Sequence, residues 1–206
     1  VATPTGICNI ALAHIGAAQI AAMDPPDGSV LAGLCARLYP VARREMLEHP
    51  WRFALRRAQL ALLPEAAGGW DYSYALPSDC VRALRVELTG VLSSVFDETT
   101  DEPEIGEGAS FVTEGSTLHT NQPEAELLYT ADVVDTAAFS PAFGAALAKL
   151  LAGYLAGAVI KGREGLSIRA SLHEEAARAA ENALVVNANK EQLGWNTVPA
   201  AVLARR

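Results

Sequence analysis

Apolar residues recur at helical spacing in four stretches of the chain, and they alternate with polar ones in a block between the second and third. The first stretch, TPTGICNIALAHIGAAQIAAM, predicts a helix from about Thr5 with Ile7, Ile10, Ala11, His14 and Ala18 on one face. His14 on that face reads as a core or interface histidine rather than a ligand. DPPDGS at 24–29 is a turn by its paired prolines and Asp-Gly. A second helix is expected from about Ser29 to Glu48, with Leu31, Leu34, Cys35, Leu38 and Ala42 as its stripe. Pro40 falls inside it and predicts a kink or break, because proline removes a ladder hydrogen bond and clashes with the preceding turn. Pro50 ends the pattern.

From Leu63 the texture changes to Pro and Gly punctuation with clustered aromatics. CVRALRVEL (80–88) alternates as a strand does, ASFVTEGSTLHT (109–120) reads as two short strands around Glu-Gly, and EAELLYTADV (124–133) as a third. Residues 93–108 are acidic and poor in large apolar side chains, which predicts a mobile loop. Ser140-Pro141 then opens a third helix as N-cap and first-turn proline, with Phe143, Leu147, Leu150, Leu151, Tyr154 and Ala158 aligned. KGREG (161–165) reads as a turn. A fourth helix follows from about Leu166 to Asn189, its stripe Leu172, Ala176, Ala179, Ala183 and Val186. The last residues are interrupted by Gly194 and Pro199 yet carry Leu193, Trp195, Val198, Val202 and Leu203. The expected fold is therefore mainly α: a four-helix bundle from 1–63 and 134–190, a small antiparallel β insertion at 64–133, and an extended C-terminal arm at 191–206.

Charge refines this picture. The chain of 206 residues has a formal net charge of -8, against a generally basic nucleic-acid binder. Residues 87–126 alone hold ten acidic residues and no Lys or Arg, while 37–57 hold six arginines against two glutamates. Three cysteines, Cys8, Cys35 and Cys80, lie far apart without metal spacing, which predicts free and largely buried thiols rather than a disulfide framework or a zinc site. The N-terminal residues lack signal-peptide character. AFGAALAKLLAGYLAGAVI (142–160) imitates a membrane span, but Lys149 near its middle would cost about 3 kcal/mol in lipid, and the expectation is a buried helix and no membrane anchor.

Catalytic signatures are missing from the sequence: there is no phosphate-binding loop, no dinucleotide fingerprint, no HExxH and no GxSxG. His14, His49, His119 and His173 fall in four different elements, and no cofactor or metal is expected. Asp79-Cys80 has no histidine near it in sequence. Two alternatives stay open at this point: a nucleic-acid-binding module built on Arg52, Arg56 and Arg57, and an enzyme whose site assembles only on folding.

The most distinctive stretch is LCARLYPVARREMLEHPWRFALRRAQLA: a helix, His-Pro-Trp, an aromatic, paired basic residues and an apolar run. With ICNIALAHIGAAQI, YSYALPSDCVRALRV, LLYTADVVDTAAFSPAFGAALAKLLAGYLA and the final helix, in this order over nearly all of 5–190, the chain resembles the head-to-tail adaptors of short-tailed bacteriophages, the tail tubular protein A family. Pro40 departs from the family pattern. The resemblance implies a structural virion protein and no enzyme. It implies a dodecameric ring at the head-tail junction, assembled in the host cytoplasm, which binds the portal protein and the next tail component (nozzle or tube protein). Genomic DNA would pass through the lumen without sequence-specific binding, during DNA ejection. On that reading the bundle forms the ring wall, the β insertion faces the tail, and the arm reaches the portal through Leu193, Trp195, Val198, Val202 and Leu203, the alternative being an arm folded back on its own bundle. Arg43, Arg44, Arg52, Arg56 and Arg57 would meet a neighbouring subunit. Asp97, Glu98, Asp101, Glu102, Glu104 and Glu107 would form an acidic surface on the tail side or in the lumen, where like charge repels phosphates; a merely solvating surface is the other reading. Pro50, Trp51 and Phe53 would make a structural joint, with Trp51 buried whether the segment is helical or extended.

Overall fold

Thr3 opens the first helix: its hydroxyl accepts from the Gly6 amide at 3.0 Å and Pro4 occupies the first turn, so α1 runs Pro4–His14. The computed structural model describes residues 3–66, 68–87 and 108–192, with side chains up to Val185. It divides into two compact units, one spanning Arg43–Phe139, the other combining the described residues before Arg43 with those from Ser140 onward.

In the second of these, α1 ends as Gly16 turns left-handed (φ +66°), and the Asn9 side chain clamps the returning chain through both polar atoms, to the Ile20 amide (2.9 Å) and carbonyl (3.0 Å). Asp27 then accepts from the Ala21 and Ser29 amides, and Ser29 caps α2, Val30–Met46, at the Ala32 amide. α2 is unbroken through Pro40, which is exposed; the chain passes from one unit to the other within this helix. Ser140 caps α3, Pro141–Val159, which packs antiparallel against α4, Gly162–Gln192, and also receives α1. The α3 core is Phe143, Leu147, Leu150, Leu151 and Leu155 among alanines, each such large side chain contributing roughly 1.5–3 kcal/mol of transfer free energy. Gly153 permits the close approach of α4, since a Cβ there would overlap the His173 ring. α3 is long and apolar enough to cross a membrane by length and composition, with a mean hydropathy of 1.6, and 61% of that window is buried inside the protein.

Among its described residues the Arg43–Phe139 unit holds seven strands: β1 Leu55–Gln59, β2 Ala61–Leu62, β3 Tyr72–Ala75, β4 Cys80–Glu87, β5 Phe111–Glu114, β6 Thr117–Thr120 and β7 Glu126–Ala131. They form two antiparallel sheets, β1-β7-β4 and β2-β3-β6-β5. The chain changes sheet at Leu60, a buried residue between β1 and β2 whose amide bonds to the Ala125 carbonyl. One core joins the sheets, with Leu60, Tyr74 and Leu118 meeting Val86, Leu127, Tyr129 and Ala131.

The fold is thus mixed α/β, four helices with two antiparallel sheets, and not the mainly α four-helix bundle expected. The reason lies in β1 to β3. LRRAQ and AL consist of residues that favour helices, with no β-branched side chain, so pairing with β7 and β3 overrides local preference. YSYA is hidden in a stretch that reads as turns. Helix faces also rotate from the expected stripes. α1 buries Ile7, Cys8, Ala11 and Leu12, leaving Ile10 and His14 exposed; α2 buries Ala32, Cys35, Tyr39 and Ala42 while Leu31, Leu34 and Leu38 are half-buried. α4 starts at Gly162, inside the expected turn.

Candidate functional site

After α2 the chain reverses at His49-Pro50, with the Trp51 amide on the His49 carbonyl at 2.8 Å. A 3-10 turn at Arg52–Ala54 leads into β1. Trp51 is 0% exposed, and its indole N–H donates to the Met46 carbonyl at 2.7 Å, one of the acceptors orphaned at the helix end. Phe53 stacks at a tilt on Phe139, with centroids 5.6 Å apart. Arg82 reaches back to the Glu48 carbonyl at 3.3 Å. Pro50, Trp51 and Phe53 therefore sit together at one chain reversal.

The five candidate interface arginines separate into two kinds. Arg43 is 7% exposed and held by Asp132, its Nη2 and Nε at 2.7 and 3.1 Å from Oδ1, so its charge is used within the chain. The other Asp132 oxygen lies 3.8 Å from the exposed Arg44. Arg52, Arg56 and Arg57 are all exposed. Arg56 donates to the Phe53 and Leu55 carbonyls, which steadies its guanidinium; Arg57 lies 3.9 Å from Glu87. Asp97, Glu98, Asp101, Glu102, Glu104 and Glu107, and Leu193, Trp195, Val198, Val202 and Leu203, lie outside the described residues.

Two arginines that sequence reasoning passed over stand with Arg57 on one sheet face. In CVRALRVE a regular strand would put Arg82 and Arg85 on opposite faces. β4 carries register shifts on either side of Arg82 and Ala83, so Arg82 pairs with Thr130 and Arg85 with Leu128, residues of β7 that share a face. Arg57 also pairs with Leu128. One face of the sheet β1-β7-β4 thus gathers Arg57, Arg82 and Arg85, with Glu87 and Glu126 at its far end; Arg85 is tied to Glu87 at 2.5 Å. An arginine spacing of three with an apolar alternation around it was the available signal, and only a bulge reconciles the two.

Folding also assembles a serine, an imidazole and a carboxylate. Ser73 Oγ is 2.8 Å from His119 Nδ1, and Glu114 Oε2 is 3.9 Å from His119 Nε2. Ser73 is 1% exposed, whereas a nucleophile needs its target carbonyl within about 3–3.5 Å. The geometry is that of two buried polar side chains satisfying each other between β3 and β6. At Asp79-Cys80, burial and then the Asp79 carboxylate push the Cys80 thiol up, which keeps it protonated at neutral pH. Burial, with a hydrogen bond to Asp79 at 3.1 Å, likewise raises the Tyr129 phenol. Among the described residues no group of three or more His, Cys, Asp or Glu is placed to hold a metal ion. A comparison with protein-family models finds no matching family, and one with curated proteins finds no relative.

Proposed function

We propose that this chain is a head-to-tail adaptor of a short-tailed phage, a subunit of a twelve-fold ring between portal and tail. The observation that carries the reading is the segment from His49 to Arg57. It is the stretch most specific to the resemblance, and in it a buried tryptophan fixes a chain reversal while Arg52, Arg56 and Arg57 remain at the surface. A closed ring needs a heterologous contact, one face of a subunit against a different face of the next. Exposed arginines on a sheet face, in a chain whose 87–126 window carries ten acids, offer complementary charges for it. Such pairing sets register and encounter rate more than affinity. DNA then passes an acidic protein, not a basic one.

The test is mass measurement of the protein alone and with rings of its cognate portal. Twelve copies per portal ring is the expected result. Absence of any portal-bound species at micromolar concentration would overturn the reading, as would tight, salt-dependent binding of duplex DNA by the isolated protein.

A further inference from the structure

α2 buries small residues and leaves its leucines at the edge. Ala32, Cys35, Tyr39 and Ala42 are buried, while Leu31, Leu34 and Leu38 are half-buried and Val41 is 52% exposed. The steps from Leu31 through Leu34 and Leu38 to Val41 are three, four and three residues, which sets them in one row along a flank of the helix. That is the spacing at which one helix seats against another. Arg37 borders the row. Its Nε bonds to the Gly33 carbonyl one turn back at 3.3 Å, and among the described residues it has no ion pair.

α4 offers the opposite relief. Leu166, Ala170 and Ala177 are exposed and Leu184 is half-buried, and steps of four, seven and seven residues keep them on one flank. Two leucines bracket a floor of alanine, into which a row of larger side chains sets as a ridge into a groove. Glu174 and Glu181 border that flank, both exposed. Glu174 is tied to Arg178 of its own helix; Glu181 has no ion pair among the described residues. A cation therefore rims the α2 row, and anions rim the α4 flank. We propose that the α2 row from Leu31 to Val41 is an interaction surface whose occupant is the α4 flank of a second copy of this chain. The two faces differ, so the contact is heterologous and repeats from copy to copy. It deepens the ring reading by naming the contact between neighbours. The chain's own C-terminal residues are the poorer occupant, since 193–206 hold no acid and end in two arginines, like charge to Arg37. A helix pair of three turns buries less than the roughly 1,200 Å² of a stable interface, so the contact is weak in one pair and holds when ring closure supplies it twice to each subunit.

Photo-crosslinking reads a weak contact directly. p-Benzoylphenylalanine replaces Val41, an exposed position, in the full chain. Chains labelled with ¹⁵N and unlabelled chains are mixed at millimolar concentration, irradiated and digested with trypsin. Position 41 then lies in the 38–43 peptide, and most of the α4 flank in the 170–178 and 179–190 peptides. The expected result is 38–43 joined to one of those two, with one partner labelled and the other not. Ala177→Trp, at an exposed position, should leave the melting temperature unchanged and lower that yield about tenfold, because the indole fills the floor of the groove. Cross-links confined to a single copy, cross-links to 191–205, the absence of any cross-link to α4, or a yield that Ala177→Trp leaves unchanged would overturn the proposal. The test uses no portal, so its failure leaves the twelve-fold reading to the mass measurement, and failure there leaves this contact standing.

Discussion

The α3–α4 pair and the β1-β7-β4 sheet solve the same problem with different currencies. The helix pair is held by shape: leucines and Phe143 fill one side, Gly153 lets α4 approach, and ion pairs such as Lys149–Glu175 stay at the rim. The sheet is held by matched polar groups as well: Arg43 on Asp132, Arg85 on Glu87, and Tyr129 on Asp79. The lesson is that volume changes should damage the helices more than charge changes do, and that a charge left without its partner should matter in the β unit. Trp51 is an exception within that unit, a site where volume should matter.

Trp51→Ala tests the exception and carries the largest effect. It removes a wholly buried indole and leaves the Met46 carbonyl without its donor, so a loss of about 4 kcal/mol is expected by urea denaturation. A loss under 1 kcal/mol would mean the joint is not held by packing. Gly153→Ala comes next. The added methyl meets the His173 ring, so either α4 or His173 must shift, at about 1–3 kcal/mol. A neutral result would show that the helix pair is looser than its glycine implies. Third is Arg43→Ala, with Asp132→Asn and the double variant. Truncating a buried pair costs about 3–5 kcal/mol, but Asp132 is partly exposed and keeps Arg44 nearby, so about 2 kcal/mol is expected, with coupling of roughly 1 kcal/mol. The exposed Glu174–Arg178 pair on α4 is the control, with a coupling of about 0.3 kcal/mol. Equal coupling at the two sites would erase the distinction between the units.

How much was legible follows from the same contrast. The strands at 80–87, 111–114, 117–120 and 126–131 announced themselves by alternation and by Gly115 in the hairpin. The existence of the four helices was equally plain, but not which face each buries. α1 and α3 are apolar nearly all round, so periodicity cannot choose a face; on α2 the small residues Ala32, Cys35 and Ala42 go inward while three leucines stay half-buried. β1 stayed open between helix and extended chain because its residues favour helices, and the mixed fold was missed with it. Of the candidate surface, Arg52, Arg56 and Arg57 were visible as a cluster. Arg82 and Arg85 were not, because a bulge is a property of two strands and not of one. The Ser73–His119 pair needed β3 to be recognised first.

The smallest expected effect lies at Asp27, in the turn before α2. Its carboxylate accepts from the Ser29 and Ala21 amides, and these bonds, the Ser29 contacts foremost, lower its pKa from 3.8 to about 2. A depressed folded-state value means the charged carboxylate favours the folded turn. That contribution is complete above about pH 4 and is lost as pH falls through about 2, since protonation removes the acceptor both amides need. The side chain is open to solvent, so the change should be local: the amide resonances of Ala21 and Ser29 should titrate together near pH 2 and stop doing so in Asp27→Asn, while α3 and α4 stay unmoved. Titration of those amides at the ordinary aspartate value instead would mean that this turn is held by its prolines and not by charge. The helical unit would then be shape-coded throughout, and the contrast with the sheet sharper than the one drawn from its ion pairs.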